Sequence, residues 1–257
     1  MTYGFFLLLF LGIPIFLLAI FHGRRMDRRQ WYSLTGLMAV AALYTTPWDN
    51  YLVAHRIWWY DPEKISGLLL GYVPLEEYAF FLLQPLMTGI LLLALRDRVS
   101  GWGEAPGGSN PRIRWAVVVL LGALWLPAVL LLIAGTDPFR YLALQLAWAL
   151  PPLMLQAAFG ADWILAAWRP ALTTLGISTF YLIAADVFAI QEGIWTINPE
   201  FTLGLNPITG LVFEEAVFFL LTNVLVIAGL TLLEDPRARP RIRGWFQQLF
   251  PTAQTSS

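Results

Sequence analysis

Residues Pro74-Leu75-Glu76-Glu77-Tyr78-Ala79-Phe80-Phe81-Leu82-Leu83 return 138 residues later as Val212-Phe213-Glu214-Glu215-Ala216-Val217-Phe218-Phe219-Leu220-Leu221. Each copy sets two adjacent carboxylates at the head of a long apolar run. Carboxylates beside lipid are costly, so in a membrane segment they mark functional positions by default. The Glu pair recurs together with its Phe pair, which argues against accident.

Working outward, the repeat extends on both sides of this stretch. Asp49 recurs as Asp186 and Trp58 as Trp195, both at a spacing of 137. Asp61-Pro62-Glu63 returns as Asn198-Pro199-Glu200, and Gly67 as Gly204, before one inserted residue shifts the spacing to 138. Tyr3 and Pro14 match Tyr141 and Pro152. The second copy departs from the first at Val212, which stands where the first has Pro74.

The chain that carries this duplication is apolar. Of 257 residues 58% are hydrophobic and only 13% charged, about half the charge of an average soluble domain; the mean hydropathy is +0.64. An integral membrane protein follows. Seven segments are apolar enough to approach the ~20 residues that a bilayer core requires: roughly 3–21, 31–48, 78–95, 115–134, 141–160, 170–185 and 216–233, the sixth being the shortest. The first is too long for a removable signal peptide and lacks its basic start and small-residue cleavage site. With no cysteine there is neither a disulfide framework nor a thiolate metal site. The net charge of −1 says nothing about partners, and no nucleic-acid partner is expected.

Basic residues orient such a chain. With the N-terminus outside, thirteen of the sixteen Lys and Arg fall on inner segments, and only Arg56, Lys64 and Arg140 fall outside. The expected fold is therefore all-α and multi-pass in the cell membrane, with the C-terminus cytoplasmic. Spans one to three match spans five to seven, and the fourth is a connector, so the repeats run parallel about an axis along the membrane normal. Residues 1–96 form the first three-helix repeat, 97–138 the linker and connector helix, 139–235 the second repeat, and 236–257 a basic cytoplasmic tail. The Gly- and Pro-rich stretch at 101–111 reads as a flexible linker. Loops 54–73 and 190–211, rich in Trp, Tyr, Pro and Gly, lie at the outer end with both Glu pairs and both Asp residues.

Asp49, Glu76, Glu77, Asp186, Glu214 and Glu215 are the candidate catalytic residues. No Lys or Arg lies inside a span to balance them, so some must be protonated or face water. A carboxylic acid in a dry site can donate a proton at neutral pH, and an ionised neighbour can act as base or stabilise a cation. On a helix Glu76 and Phe80 share a face, as do Glu77 and Phe81, Glu214 and Phe218, and Glu215 and Phe219. Aromatic faces attract cations. Phe80, Phe81, Phe218, Phe219, Trp58 and Trp195 are thus candidate substrate-binding residues. Plainer roles compete: acids complementing a helix dipole, aromatics as packing or interfacial anchors.

The Pro-Leu-Glu-Glu-Tyr-Ala-Phe-Phe segment resembles the Pro-x-Glu-Glu/Asp motif of the membrane-integral lycopene cyclases, whose two homologous halves occur as separate subunits or as one fused chain. The likeness extends to the duplication, span number and length. It implies acid-catalysed cyclisation of lycopene without net redox change: a carboxylic acid protonates the terminal double bond of the linear ψ end group, the neighbouring double bond closes a six-membered ring, and proton loss leaves a β-ionone ring. Glu76, Glu77, Glu214 and Glu215 match the motif positions. The family works without the dinucleotide-binding domain of the unrelated flavin-type cyclases, and the chain carries no Gly-x-Gly-x-x-Gly fingerprint; no cofactor or metal is expected. Expected partners are the carotenoid substrate and the lipid bilayer; a homo-oligomer, or contact with other enzymes of carotenoid synthesis, is compatible with the chain. The two Glu pairs are expected to converge on one central site, entered laterally from lipid.

Other classes compete, among them a non-catalytic structural subunit, against which the two intact Glu pairs argue. A proton-coupled transporter fits parallel repeats and buried acids. A retinal receptor is excluded because the single lysine, Lys64, is in a loop. A membrane prenyltransferase needs Asp-rich clusters, whereas Asn50 follows Asp49 and Val187 follows Asp186. An ε ring or a C50 substrate remains an alternative within the cyclase reading.

Overall fold

The computed structural model describes residues 1–99 and 110–242; most of the expected linker and the tail from Arg243 onward lie outside the described residues. Seven long helices occur among them: α1 (Tyr3–Phe21), α2 (Arg28–Ala54), α3 (Leu75–Arg96), α4 (Pro111–Ala134), α5 (Arg140–Ala166), α6 (Trp168–Gln191) and α7 (Phe213–Glu234). Six of these are long and apolar enough to cross a membrane; α2 is not counted with them. It has the length, but Trp31, Tyr32, Ser33, Thr35, Tyr44, Thr45 and Thr46 dilute its apolar character. The segment at 170–185, the shortest by sequence, belongs to the full-length α6. Only 6% of the most apolar window of α4 is buried, so this helix lies at the edge, packed on α5.

The other six helices form a bundle centred on α3 and α7, which touch each other. α3 packs against α1, α2 and α6, and α7 against α5, α6 and α2. Glycine permits close approach at Gly89 of α3, where a Cβ would come 2.4 Å from a Leu34 methyl of α2. In the middle of the bundle Gln84 and Thr88 both donate to Asn223 Oδ1 at 2.8 Å, and Asn223 donates to Thr179 at 3.1 Å. These bonds tie α3, α7 and α6 where water cannot compete for them.

Prolines inside helices leave carbonyls one turn back without a donor. Pro14 leaves Phe10 and Pro152 leaves Trp148. Tyr181 donates to Phe10 O at 2.9 Å and Tyr44 to Trp148 O at 2.8 Å. A π-helical turn over Leu8–Gly12 carries the α1 backbone past Pro14. Trp125 of α4 serves in the same way for Ala147, the carbonyl freed by Pro151.

The loops between α2 and α3 and between α6 and α7 meet at one end of the bundle. There β1 (Trp58–Tyr60) pairs antiparallel with β4 (Trp195–Ile197), placing Trp58 opposite Ile197 and Tyr60 opposite Trp195. A second hairpin, β2 (Leu69–Leu70) with β3 (Val73–Pro74), leads into α3. Its turn uses Gly71 at φ +70°, where a Cβ would collide with the Asn50 side chain. The N-terminus is fastened here too: the Met1 ammonium pairs with Glu192 at 2.9 Å, and Tyr3 N donates to Lys64 O at 2.7 Å. The hydrogen bond from that ammonium, and then its charge, hold the Glu192 carboxyl below its ordinary range. At the opposite end, Glu234 meets Arg29 at 3.8 Å and Arg96 at 3.5 Å and accepts from Ser33 at 2.7 Å, joining α2, α3 and α7.

Candidate active site

α3 and α7 each begin after an extended residue, Pro74 or Val212, with two glutamates in the first turn, where negative charge complements the helix dipole. Neighbours on a helix point about 100° apart, and the two members of each pair separate accordingly. Glu76 turns to the loop, accepting from Ser66 N at 2.6 Å and Ser66 Oγ at 3.0 Å. Glu77 is buried, and its Oε2 accepts from both Tyr3 (2.6 Å) and Tyr60 (2.9 Å). In the second copy Glu214 is buried: one carboxylate oxygen accepts from Leu203 N at 2.7 Å, and the other has no partner. Glu215 accepts from Tyr141 at 2.5 Å.

Glu77, Glu215 and Asp186 line one narrow cavity of about 40 Å³. Its remaining wall is largely aromatic and aliphatic. α1 supplies Tyr3, Phe6, Phe10 and Leu11, α6 supplies Leu182 and Ala185, and the strands supply Trp58, Tyr60, Trp195 and Ile197. Phe80, Phe218 and Phe219 close the inner side. Asp186 accepts from Trp195 Nε1 at 3.1 Å through one oxygen, while the other has no donor. Asp49 is equally buried, with neither oxygen partnered, but it does not line this cavity. Burial, with the Asp49 and Glu77 carboxylates nearby, pushes the Tyr60 hydroxyl well above the ordinary phenol range and keeps it a donor.

Below the phenylalanines lies a second, larger space of about 300 Å³ between α2, α3, α5 and α7. Phe80 and Phe218 belong to both walls. Phe81 lies on this lower groove and not on the upper cavity. Its outer lip carries Val40 and Leu155, which are exposed. Of the twelve sequence candidates, eight thus line the upper cavity, Phe81 lines the groove, and Glu76, Glu214 and Asp49 lie outside both.

A family model described as lycopene cyclase matches residues 1–95. The lycopene beta-cyclase of Halobacterium salinarum is 35% identical over 242 residues, spanning 93% of this chain and 99% of that protein. The chain belongs to the lycopene cyclase family. The bifunctional lycopene cyclase/phytoene synthase of Gibberella fujikuroi is 32% identical over 236 residues, 88% of this chain but 38% of that longer protein. Its counterpart in Neurospora crassa is 33% identical over 209 residues, 78% of this chain and 34% of that protein. No solved structure matches.

For a lycopene cyclase chain, the residues that sequence reasoning overlooked are the phenols. Tyr3, Tyr60 and Tyr141 hold the two central glutamates, and Phe6, Phe10, Leu182 and Ala185 complete the wall. A signal for two of them was present: Tyr3 and Tyr141 each precede their glutamate by 74 residues. That spacing identified a repeat without identifying a bond.

Proposed function

We propose that this chain is a lycopene β-cyclase that closes ψ end groups to β-ionone rings within the cell membrane, using Glu77, Glu215 and Asp186 as its acid–base set. The carrying observation is that these three carboxylates share one aromatic-walled cavity. A dry wall protects a carbocation from water, and the rings of Phe80, Phe218 and Phe219 present π-faces to it.

The end group of the polyene enters the cavity past Phe80 and Phe218, and the rest of the chain lies in the groove below, which opens toward lipid between α2 and α5. An acid transfers its proton to the terminal double bond. The resulting tertiary cation is attacked by the next double bond, which forms the ring bond and moves the cation into the ring. Loss of a ring proton to a carboxylate restores a double bond, so atoms and electrons balance without an oxidant. Glu77, with two phenols donating to one oxygen, is held as an acceptor; we assign it the roles of cation stabiliser and base. Asp186 lines the cavity, has one oxygen free of donors and is assigned the acid.

The reading includes seven spans, α2 among them, in two parallel repeats with the N-terminus outside. Support comes from bonds that occur twice: Tyr3 to Glu77 and Tyr141 to Glu215, Tyr181 to Phe10 and Tyr44 to Trp148. Tyr3 meets the Trp195 ring at 5.2 Å just as Tyr141 meets Trp58 at 5.4 Å, both edge-on. The β1–β4 register, symmetric about Trp59 and Thr196, suits a twofold axis between the copies. The basic cluster around Glu234 belongs on the cytoplasmic side by the positive-inside rule.

Expression in lycopene-accumulating cells, followed by pigment chromatography, tests the assignment. γ- or β-carotene is the expected product. Unchanged lycopene from correctly folded protein would overturn it, and an ε-ring product would reassign the proton that is lost.

A further inference from the structure

The duplicated scaffold predicts two equivalent chambers, one on each side of the pseudo-twofold axis; the cavity described above lies on the α1–α6 side, and the α2–α5 side holds the lower groove, with Trp148 in its wall. Transferring its lining by the repeat spacings gives the expected mirror chamber. Asp186 maps to Asp49, Phe10 to Trp148, Ala185 to Trp48 and Tyr60 to Ile197. The decisive exchange is Ala185 for Trp48: a methyl group on the cavity wall becomes an indole.

That indole occupies the mirror side. Trp48 stacks on Trp148 with ring centroids 4.5 Å apart and planes at 19°. It lies parallel to Phe218 at 6.0 Å and meets Trp58 edge-on at 5.8 Å. Its Nε1 donates to Leu144 O at 3.2 Å, which fixes the ring in place. Asp49, buried with two unpartnered oxygens, stands one residue beyond this plug and does not reach the open cavity.

We infer that the enzyme has a single working chamber, on the Asp186 side, and that the Trp48–Trp148 stack fills the other half-site and excludes substrate from Asp49. This rests on the cyclase reading for its chemistry, though not for its geometry. Asp186 is then the aspartate that touches the reacting end group, and both ends of a lycopene molecule must visit the same chamber in turn.

Two measurements on the full-length protein test it. First, turnover of lycopene is compared for Asp186→Asn and Asp49→Asn, with size-exclusion profiles of solubilised protein to establish folding. Asp186→Asn is expected to lose at least 100-fold more activity than Asp49→Asn; equal losses overturn the inference. Ala185→Trp is expected to abolish turnover by filling the chamber as Trp48 fills its mirror, and full activity in this variant also overturns the inference. Second, purified wild-type protein is treated with dicyclohexylcarbodiimide, an apolar reagent for buried carboxyls, and modified sites are read by peptide mass spectrometry. Label at Asp186 and not at Asp49 is expected, with Asp49 becoming labelled in Trp48→Ala. Equal wild-type labelling of both aspartates refutes the plug. Because labelling needs no turnover, asymmetric label in protein that leaves lycopene unchanged would sink the substrate assignment and keep the one-sided chamber.

Discussion

Removing the hydroxyl of Tyr141 should cost more than removing that of Tyr3, although the two residues are repeat equivalents. Tyr141 donates to Glu215, and no other side-chain donor to that carboxylate occurs among the described residues. Glu77 has two phenols on a single oxygen, because Tyr60 stands where the second copy has Ile197. Tyr→Phe keeps the ring, and so keeps the edge contacts with Trp58 and Trp195. A hydrogen bond to a charged group is worth roughly 1.5–3 kcal/mol, and about 1.4 kcal/mol corresponds to tenfold in rate. Tyr141→Phe should therefore slow cyclisation by about 10- to 150-fold if the bond is needed in the transition state. Tyr3→Phe leaves the Tyr60 bond in place and should fall at or below the low end of that range. The Tyr3→Phe/Tyr60→Phe pair should lose more than the product of the single losses, with a coupling of at least about 0.5 kcal/mol. The assay is the initial rate of lycopene consumption in membranes at saturating substrate. Thermal unfolding of each solubilised variant separates loss of fold from loss of chemistry. A Tyr141→Phe rate within twofold of wild type, beside a larger loss for Tyr3→Phe, would refute the idea that the number of phenols on each glutamate sets its contribution.

Other outcomes follow from the same geometry. Glu77→Gln and Glu215→Gln should each reduce turnover by at least 100-fold, whereas Glu76→Gln, facing Ser66 outside the cavity, should lose less than tenfold; chromatography of extracted pigments reads all three, on the ~100-fold scale typical of general acid–base groups. Leu155→Trp at the groove lip should raise KM with little change in kcat, because it obstructs entry and not chemistry; an unchanged KM would remove the groove as the route. Asn223→Leu strands the donors of Gln84 and Thr88 and should destabilise the bundle by about 1–3 kcal/mol, seen as a lower Tm at wild-type expression.

Much of this architecture was legible because a membrane imposes strong sequence rules. Long apolar runs report the helices directly, and the doubled Glu-Glu…Phe-Phe stretch pointed to the heads of α3 and α7, where the proposed site lies. Single-residue geometry was less legible. Adjacent glutamates look interchangeable in sequence, yet a helix turns one inward and the other away. Hence Glu77 faces Tyr3 and Tyr60 while Glu76 faces Ser66. The helix α2 shows the opposite difficulty: its Thr, Ser and Tyr residues lower its hydropathy, yet Tyr44 and Ser33 spend their hydroxyls on Trp148 O and Glu234. The tyrosines of the site were visible as repeat matches, but a hydrogen bond across 74 residues depends on packing that a local pattern does not carry.

The contacts between the two proposed repeats also favour the cyclase over a proton-coupled transporter. Alternating access needs two arrangements of similar stability, usually exchanged by rocking one repeat against the other. Here the copies are joined across their interface by β1–β4 pairing, by the Gln84–Asn223 network and by phenol-to-carbonyl bonds that run from each copy to the other. Rocking would break these bonds in a dry interior, where each unmade bond costs about 1–3 kcal/mol. A fixed bundle with one chamber, an apolar groove below it and acids at its head is what an enzyme acting on a lipid-soluble polyene requires: the substrate moves, and the protein holds a cation still. The divergence of the halves fits that use. An enzyme with one chamber gains nothing from a second, and an indole packed into the spare space excludes water from the wall that the two half-sites share.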